Sequence, residues 1–386
     1  MTPLRIAYVV GTLRPGGAER QMISLAERLP RDQFEVEFVE LSGPGPYIGR
    51  AGAAGIRVRT IGSVPSSSST VSQLVRRVSK TSRYIAQVRG RYDIVDAWLY
   101  PAYIIAALFR PLTMTPIIVG GRRNMGDLGD RFGPFERQAD RIARRWTDAV
   151  VANSQAVADD AVRRRSVDPA KLHVIRNGVD AMEAVDPRQR ERQRRAWNVA
   201  PGSVVIGCIA NLREVKGHDL LLGAFESLIA SAPGVHLVLI GDGPIRPMIE
   251  ARIAARGLTD QVHLHGSSLD PRPLYQGLDL VVQASRSEGL PNSLLEAGAS
   301  ALPVVATAVG GTDEIVLQGE TGLLVPAGDE GALASALRRA IESIALRDRL
   351  GRAARAHVMA TFGMDRFVSE FADLYHELAA SRKLLG

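Results

Sequence analysis

Apolar runs of strand length alternate with stretches of helix length, and the alternation breaks once and then restarts. RIAYVV runs through a Gly-rich turn into the helical GAERQMISLAERL. FEVEFVEL, IRVRTIG, YDIVDAW, PIIVGG, DAVVANS and KLHVIRNGVD continue the strand series. Residues 181–200 are charged and strandless. VVIGCIANL, VHLVLIGDGP, QVHLHGS, LDLVVQASRS, PVVATAVGG and TGLLVPAGD then form a second series, with two helices at the end. Parallel strands need a crossover between them, usually a helix, so this rhythm predicts helix-covered parallel sheets. The 386 residues exceed one ordinary core. The expected architecture is α/β: two doubly wound domains at 1–180 and 200–364, joined by a charged linker at 181–199. Ligands of such sheets bind beyond the C-terminal ends of the strands. Two of these edges facing each other would form an interdomain cleft.

The totals exclude several classes. Cys208, inside VVIGCIA, is the single cysteine, so no internal disulfide is expected and a reducing cytoplasm is the natural home. No apolar run approaches the roughly 18 to 20 residues that span a bilayer. The start MTPLRIAYVVGTLRPGGAER lacks the pattern of a signal peptide. The net charge of +7 is carried mostly by arginine, clustered at 76–77, 122–123, 141–145, 163–165 and 188–195. Such clusters fit either a solvated surface or attraction to an anionic membrane face or phosphorylated ligand. No helix-turn-helix, zinc module or aromatic-basic platform points to nucleic acid.

Three segments carry candidate chemistry. In RPGGAER, Gly16 and Gly17 lie between a strand and a helix, either as a plain turn or as a place where backbone N–H groups approach a phosphate. In NLREVKGHDLLLGAF, Arg213 and Lys216 follow a buried strand. They are either solvated loop cations or a forked guanidinium and a point charge suited to a diphosphate. In SRSEGLPNSLLEAGASALP, Glu288 and Glu296 are separated by seven residues. Asn292 reads as a helix N-cap, which places Glu288 in the loop before the helix and Glu296 about one turn inside it. The pair suits hydroxyls on both sides of a diphosphate, or alternatively one helix-dipole carboxylate and one surface carboxylate.

The segment EGLPNSLLEAGASALPVVATAVGGTDEIV closely resembles the E-x7-E segment of retaining glycosyltransferases of family 4, which have the GT-B fold of two Rossmann-like domains. GGAER, NGVD, NLREVKG, IGDGP, VHLHG, TGLLVPAGD and FVSEFADLYHEL resemble further family segments in the same order, over nearly the whole chain. The resemblance implies roles. Arg213 and Lys216 would bind the donor diphosphate, and with Glu288 would form the catalytic set. Glu288 would contact the transferred sugar and Glu296 the ribose. Gly289, Leu290, Pro291, Asn292 and Gly241 would line the donor site, with Gly16 and Gly17 approaching the diphosphate from the first domain. The substrate would be a UDP- or GDP-linked sugar, with no cofactor and no metal, since the cations would stabilise the leaving group. No D-x-D cluster is present. The final helix, 365–386, would cross back to the first domain, and domain closure would exclude water.

One departure stands out. Many members carry a histidine after the strand written here PIIVGG, where this chain has GRRNMGD. Arg122, Arg123 and Asn124 become acceptor-side candidates. Other features have plain alternatives. His263 and His265 share a strand face without a third ligand at suitable spacing. Trp98, Tyr100 and Tyr103 line an acceptor pocket or belong to the core. MGDLGDRFGPFERQADRIARRW lies on a membrane or simply covers the sheet. The expected function is sugar transfer to a glycan or lipid-linked glycan in polysaccharide biosynthesis, in the cytoplasm or at the inner membrane face. The alternatives are an epimerase-like GT-B enzyme and a non-catalytic glycan- or nucleotide-binding scaffold.

Overall fold

The computed structural model describes residues 2–62, 70–126, 134–183, 185–229, 232 and 234–384. The serine-rich loop at 66–69 and the stretch 127–133, with Phe132, lie outside the described residues. The chain divides into two compact units, Met1–Asn177 with Asp365–Gly386, and Gly178–Met364.

The first unit holds a seven-stranded sheet. Its strands are β1 (Leu4–Val10), β2 (Phe34–Glu40), β3 (Arg57–Thr60), β4 (Ile94–Ala97), β5 (Ile117–Arg122), β6 (Ala149–Ala152) and β7 (Leu172–Val174). The order is β3-β2-β1-β4-β5-β6-β7, every pair parallel. The second unit has β8 (Val204–Ile209), β9 (Val235–Ile240), β10 (Val262–Gly266), β11 (Leu280–Gln283), β12 (Val304–Thr307) and β13 (Gly322–Val325), in the order β10-β9-β8-β11-β12-β13 and again parallel. In both sheets the winding reverses beside the first strand, between β1 and β4 and between β8 and β11. Crevices open at such switch points.

The strand composition follows from burial on both faces. In the second unit Ile206, Cys208, Leu280, Val282 and Val305 face one core, and Val205, Val281, Val304 and Ala306 face the other. Burial pushes the Cys208 thiol up to about 12, so it serves as a small apolar residue. In the first unit the final helix, Met364–Ser381, lays an aromatic stripe on the sheet. Phe371 stacks on Trp98 at 5.3 Å, Phe367 meets it edge-on, and the Tyr375 hydroxyl donates to Asp96 Oδ2 at 2.6 Å. Burial raises the Asp96 carboxyl to about 6.

The segment read as a linker differs from expectation: 181–199 belongs to the second unit. Asp186 caps the helix Pro187–Ala196 by accepting from the Arg188 N–H. Arg190 and Arg194 of that helix both grip Asp279, whose carboxylate also accepts from the Val205 N–H. Trp197 is buried against Gly277. Part of the arginine run is therefore an anchor and not a solvated surface. Among the described residues no helix is long and apolar enough to cross a membrane.

Candidate active site

The switch point of the second sheet brings together two loops distant in sequence. The loop after β8 makes a short 3-10 turn, Glu214–Lys216, and ends at Gly217, whose φ of 64° is left-handed. The loop after β11 carries Glu288. Backbone bonds tie the loops: the Arg286 N–H donates to Val215 O at 2.8 Å, and its guanidinium donates to Glu214 O at 2.7 Å. Arg286 also pairs with Asp219. Lys216 and Glu288 meet as a result, Nζ to Oε1 at 2.6 Å. The lysine is about a quarter exposed and the glutamate is buried. Because β8 and β11 are adjacent, their C-terminal loops must be neighbours, and the pair follows from topology.

Two further donors converge on Glu288 Oε1: Ser285 Oγ at 2.6 Å and Gln283 Nε2 at 2.9 Å. Neither residue was anticipated. The available signal was a glutamine ending an otherwise apolar strand, since buried polar side chains require partners. Arg213 is exposed and forms no side-chain ion pair among the described residues. Its guanidinium is open to an anion.

Gly241 follows β9 directly, with its backbone against the loop after β8. A Cβ there would lie 2.0 Å from Ala210 O, and the Leu212 N–H donates to Asp242 O. Only glycine permits that approach. Gly289 accepts from the Gly311 N–H at 2.8 Å. Leu290 and Pro291 are buried, and Asn292 is half-buried. The helix Asn292–Ala299 is capped at Pro291 and not, as expected, at Asn292. Proline fixes the entry φ and has no N–H to leave unsatisfied, so the helix begins one residue earlier. Glu296 is buried in this helix, and Oε2 accepts from the Tyr275 hydroxyl at 2.9 Å.

In the first unit, Gly16 precedes the helix Gly17–Arg28 in extended conformation that any residue adopts. The Glu19 carboxylate occupies the space beside it, 2.3 Å from where a Gly16 Cβ would stand. Burial raises the Glu19 pKa. Of the three acceptor-side candidates, only Asn124 is exposed. Arg122 is buried, donating to Ser166 O and pairing with Asp140 at 3.5 Å. Arg123 is buried over the Trp98 ring at 3.8 Å, with Nη1 donating to Asn177 Oδ1. Burial pulls the Arg123 pKa down to about 10, with Asp96 opposing. Both arginines are built into the wall of the unit. Trp98 and Tyr103 are core residues too.

His263 pairs with His236 at 3.0 Å, and His265 accepts from the Trp197 indole. Among the described residues, no group of three or more His, Cys, Asp or Glu side chains could hold a metal ion.

His218 begins the helix His218–Ile229 and is fully buried, its ring beside the Arg213 backbone, whose hydrogen bond opposes the downward shift. Burial, aided by the Lys216 charge, pushes its pKa down to about 4 from the usual 6.5. The unfolded chain therefore takes up the proton first. Stability is full above the usual value and falls as the pH drops toward the depressed one. From about pH 7.5 to about pH 5 this group should remove roughly 2 kcal/mol. Urea titrations at both pH values check this, and His218→Leu should flatten the difference.

Two doubly wound units, one carrying a cation–carboxylate pair at its switch point, have the architecture expected of a GT-B glycosyltransferase. Comparison with known proteins agrees. The profile described as Glycosyltransferase Family 4 matches residues 15–183, and Glycosyl transferases group 1 matches 189–357. The lipopolysaccharide core biosynthesis mannosyltransferase LpcC of Rhizobium leguminosarum bv. viciae is 30% identical over 254 residues, 64% of this chain and 72% of that one. The D-inositol 3-phosphate glycosyltransferase of Salinispora tropica is 28% identical over 97% of this chain and 83% of its own length. The fold matches Anabaena Alr3699/HepE, solved with UDP and glucose, with a TM-score of 0.84 and 23% identity, covering 97% of this chain and 99% of that one. The chain belongs to the family 4 glycosyltransferases.

Proposed function

We propose that this chain is a retaining, metal-independent glycosyltransferase. It would move a sugar from a nucleotide diphosphate sugar to a glycan or lipid-linked glycan during polysaccharide biosynthesis in the cytoplasm. The observation that carries the reading is the Lys216–Glu288 pair, with the exposed Arg213 three residues earlier in the same loop. Arg213 and Lys216 would bind the diphosphate and stabilise the charge that grows on it as the sugar leaves. Two fixed cations supply the electrostatic stabilisation that a divalent ion supplies elsewhere. Glu288 would accept a hydrogen bond from a sugar hydroxyl, and Glu296 from the ribose. The N-terminus of the helix Asn292–Ala299 would add backbone amides for the phosphates. Asn124 remains the exposed acceptor-side candidate. UDP and glucose in the HepE structure make UDP the first nucleotide to try, with GDP the second.

The test is a thermal-shift screen against UDP, GDP, ADP and their sugar conjugates, first with EDTA and then with Mg²⁺. A ligand at roughly 100 times its Kd should add about 2.7 kcal/mol of stability. One nucleotide class should stabilise the wild type equally with and without metal, and should leave Arg213→Ala/Lys216→Ala unshifted. If no nucleotide shifts the wild type, the donor site is misplaced and a binding scaffold becomes the better reading.

Contact with an anionic membrane is part of the proposal. Arg141, Ile142, Arg145 and Trp146 form one exposed stripe on the helix Pro134–Trp146. Ile142→Glu/Trp146→Glu should cut sedimentation with acidic vesicles by about tenfold. Equal sedimentation of variant and wild type would remove this part of the reading.

A further inference from the structure

Glu288 is held by one oxygen only. Oε1 accepts from Lys216, Ser285 and Gln283, and among the described residues Oε2 accepts from none. The donors come from three places: the loop after β8, the loop after β11, and the last residue of β11. Gln283 and Ser285 are both buried. A neighbour orients the Gln283 amide, and another anchors the Ser285 backbone. Ser293 Oγ donates to Gln283 Oε1 at 3.2 Å, which turns the amide NH₂ toward Glu288. Thr307 Oγ1, at the end of β12, donates to the Ser285 carbonyl at 2.6 Å. The bond from Ser293 links the orientation of Glu288 to the first turn of the helix Asn292–Ala299.

A diphosphate within reach of Lys216 draws on the same ammonium, whose three donors it would share with Glu288, and its greater charge pulls the ammonium toward itself. If Lys216 were the only partner, donor binding would strip a buried carboxylate of its hydrogen bonds, and such a group is costly to leave unpaired. Neutral donors remove that conflict because a phosphate does not draw them away. An amide oriented by its own partner, and a hydroxyl on a residue whose backbone carbonyl is anchored by Thr307, also restrain the carboxylate from rotating when the lysine turns to the diphosphate.

We propose that Gln283 and Ser285 are positioning residues that keep Glu288 Oε1 when the donor diphosphate takes Lys216, so that Oε2 faces a hydroxyl of the transferred sugar. This rests on the reading of Glu288 as the sugar-facing carboxylate. It predicts that the two residues act on the sugar and not on the nucleotide.

The experiment compares Gln283→Met, Ser285→Ala, Ser285→Thr and the Met/Ala double variant in the full chain. The probes are UDP for binding and UDP-glucose for turnover to free glucose, with GDP and GDP-mannose used if the screen selects guanine. In that turnover the bond from the anomeric carbon to the diphosphate breaks. Water supplies the new oxygen, and its proton is released. Each single loss of a donor should lower kcat by about tenfold while the Kd for the nucleoside diphosphate stays within about twofold of wild type. Ser285→Thr, which keeps the hydroxyl, should recover most of the rate. Two outcomes overturn the assignment while leaving Glu288 in place. In the first, Glu288→Gln abolishes turnover and the Gln283 and Ser285 variants do not lower kcat. In the second, nucleotide affinity falls in step with kcat, which means that these residues only hold the loop. Full turnover by Glu288→Gln would instead overturn the reading of Glu288, and this assignment with it.

Discussion

Trp98→Ala should destabilise the first unit by about 3 to 5 kcal/mol. Trp98 is 1% exposed and sits where four side chains depend on its ring. Phe371 stacks on it with an interplanar angle of 11°, Phe367 meets it edge-on at 6.3 Å, and Tyr8 lies at 6.2 Å. The Arg123 guanidinium rests 3.8 Å from the ring. Loss of the ring leaves a cavity and also removes the cation–π partner of a buried charge. Arg123 can ill tolerate that, because its Nε and Nη2 already have no hydrogen-bond partner among the described residues. Trp98→Phe keeps a ring face and should cost well under half as much. Urea unfolding monitored by circular dichroism measures the loss, and in a Trp146→Phe background Trp197 fluorescence reports the second unit as an internal reference. A loss below about 1 kcal/mol would show that the final helix is held elsewhere.

The architecture was legible because both faces of each sheet are covered. A parallel strand buried on both sides is a continuous apolar run, as in β5, β8 and β11, whereas the edge strand β3, RVRT, was visible as alternation. The strand order was not readable, since periodicity says which face is buried and not which strand is the neighbour. The segment 181–199 was misread for a related reason. Its arginines look solvated in one dimension, but Arg190 and Arg194 point at Asp279, some 85 residues further along the chain. Long-range pairing of charges leaves no local trace.

The site divides in the same way. Arg213, Lys216 and Glu288 could be placed in loops after strands and Glu296 in the helix that follows, and the contact of Lys216 with Glu288 needed the order β8-β11. Gln283 and Ser285 went unread because a short polar side chain at a strand end is usually just a boundary. Arg122 and Arg123 were read as acceptor-side cations from their position after β5. Burial against Tyr103 and Trp98 places them inside the unit, a use of arginine that its flat, weakly hydrated guanidinium permits. What sequence cannot show is which way a side chain turns at the end of a strand, and there the choice lies between core and cleft.

Gly217→Ala should cost about 2 to 5 kcal/mol and abolish nucleotide binding as well. The left-handed φ of 64° alone costs an alanine about 1 to 2 kcal/mol. A Cβ at this position would also stand 2.0 Å from the Ala284 carbonyl oxygen, so backbone must move, at about 1 to 3 kcal/mol for such overpacking. The movement cannot be absorbed harmlessly. Gly217 follows Lys216 directly and precedes the buried His218, while Ala284 precedes Ser285 in the loop that carries Glu288. Pushing the two apart stretches the 2.6 Å contact between Lys216 and Glu288 and the backbone bond from Arg286 to Val215. Stability and donor affinity should therefore fall together in this variant, whereas Lys216→Met should lose affinity with a smaller loss of stability. Parallel urea unfolding and nucleotide titration of the two variants separate these outcomes. If Gly217→Ala were unstable yet bound nucleotide with wild-type affinity, the two loops would not need their close approach for binding. The glycine would then serve only the turn.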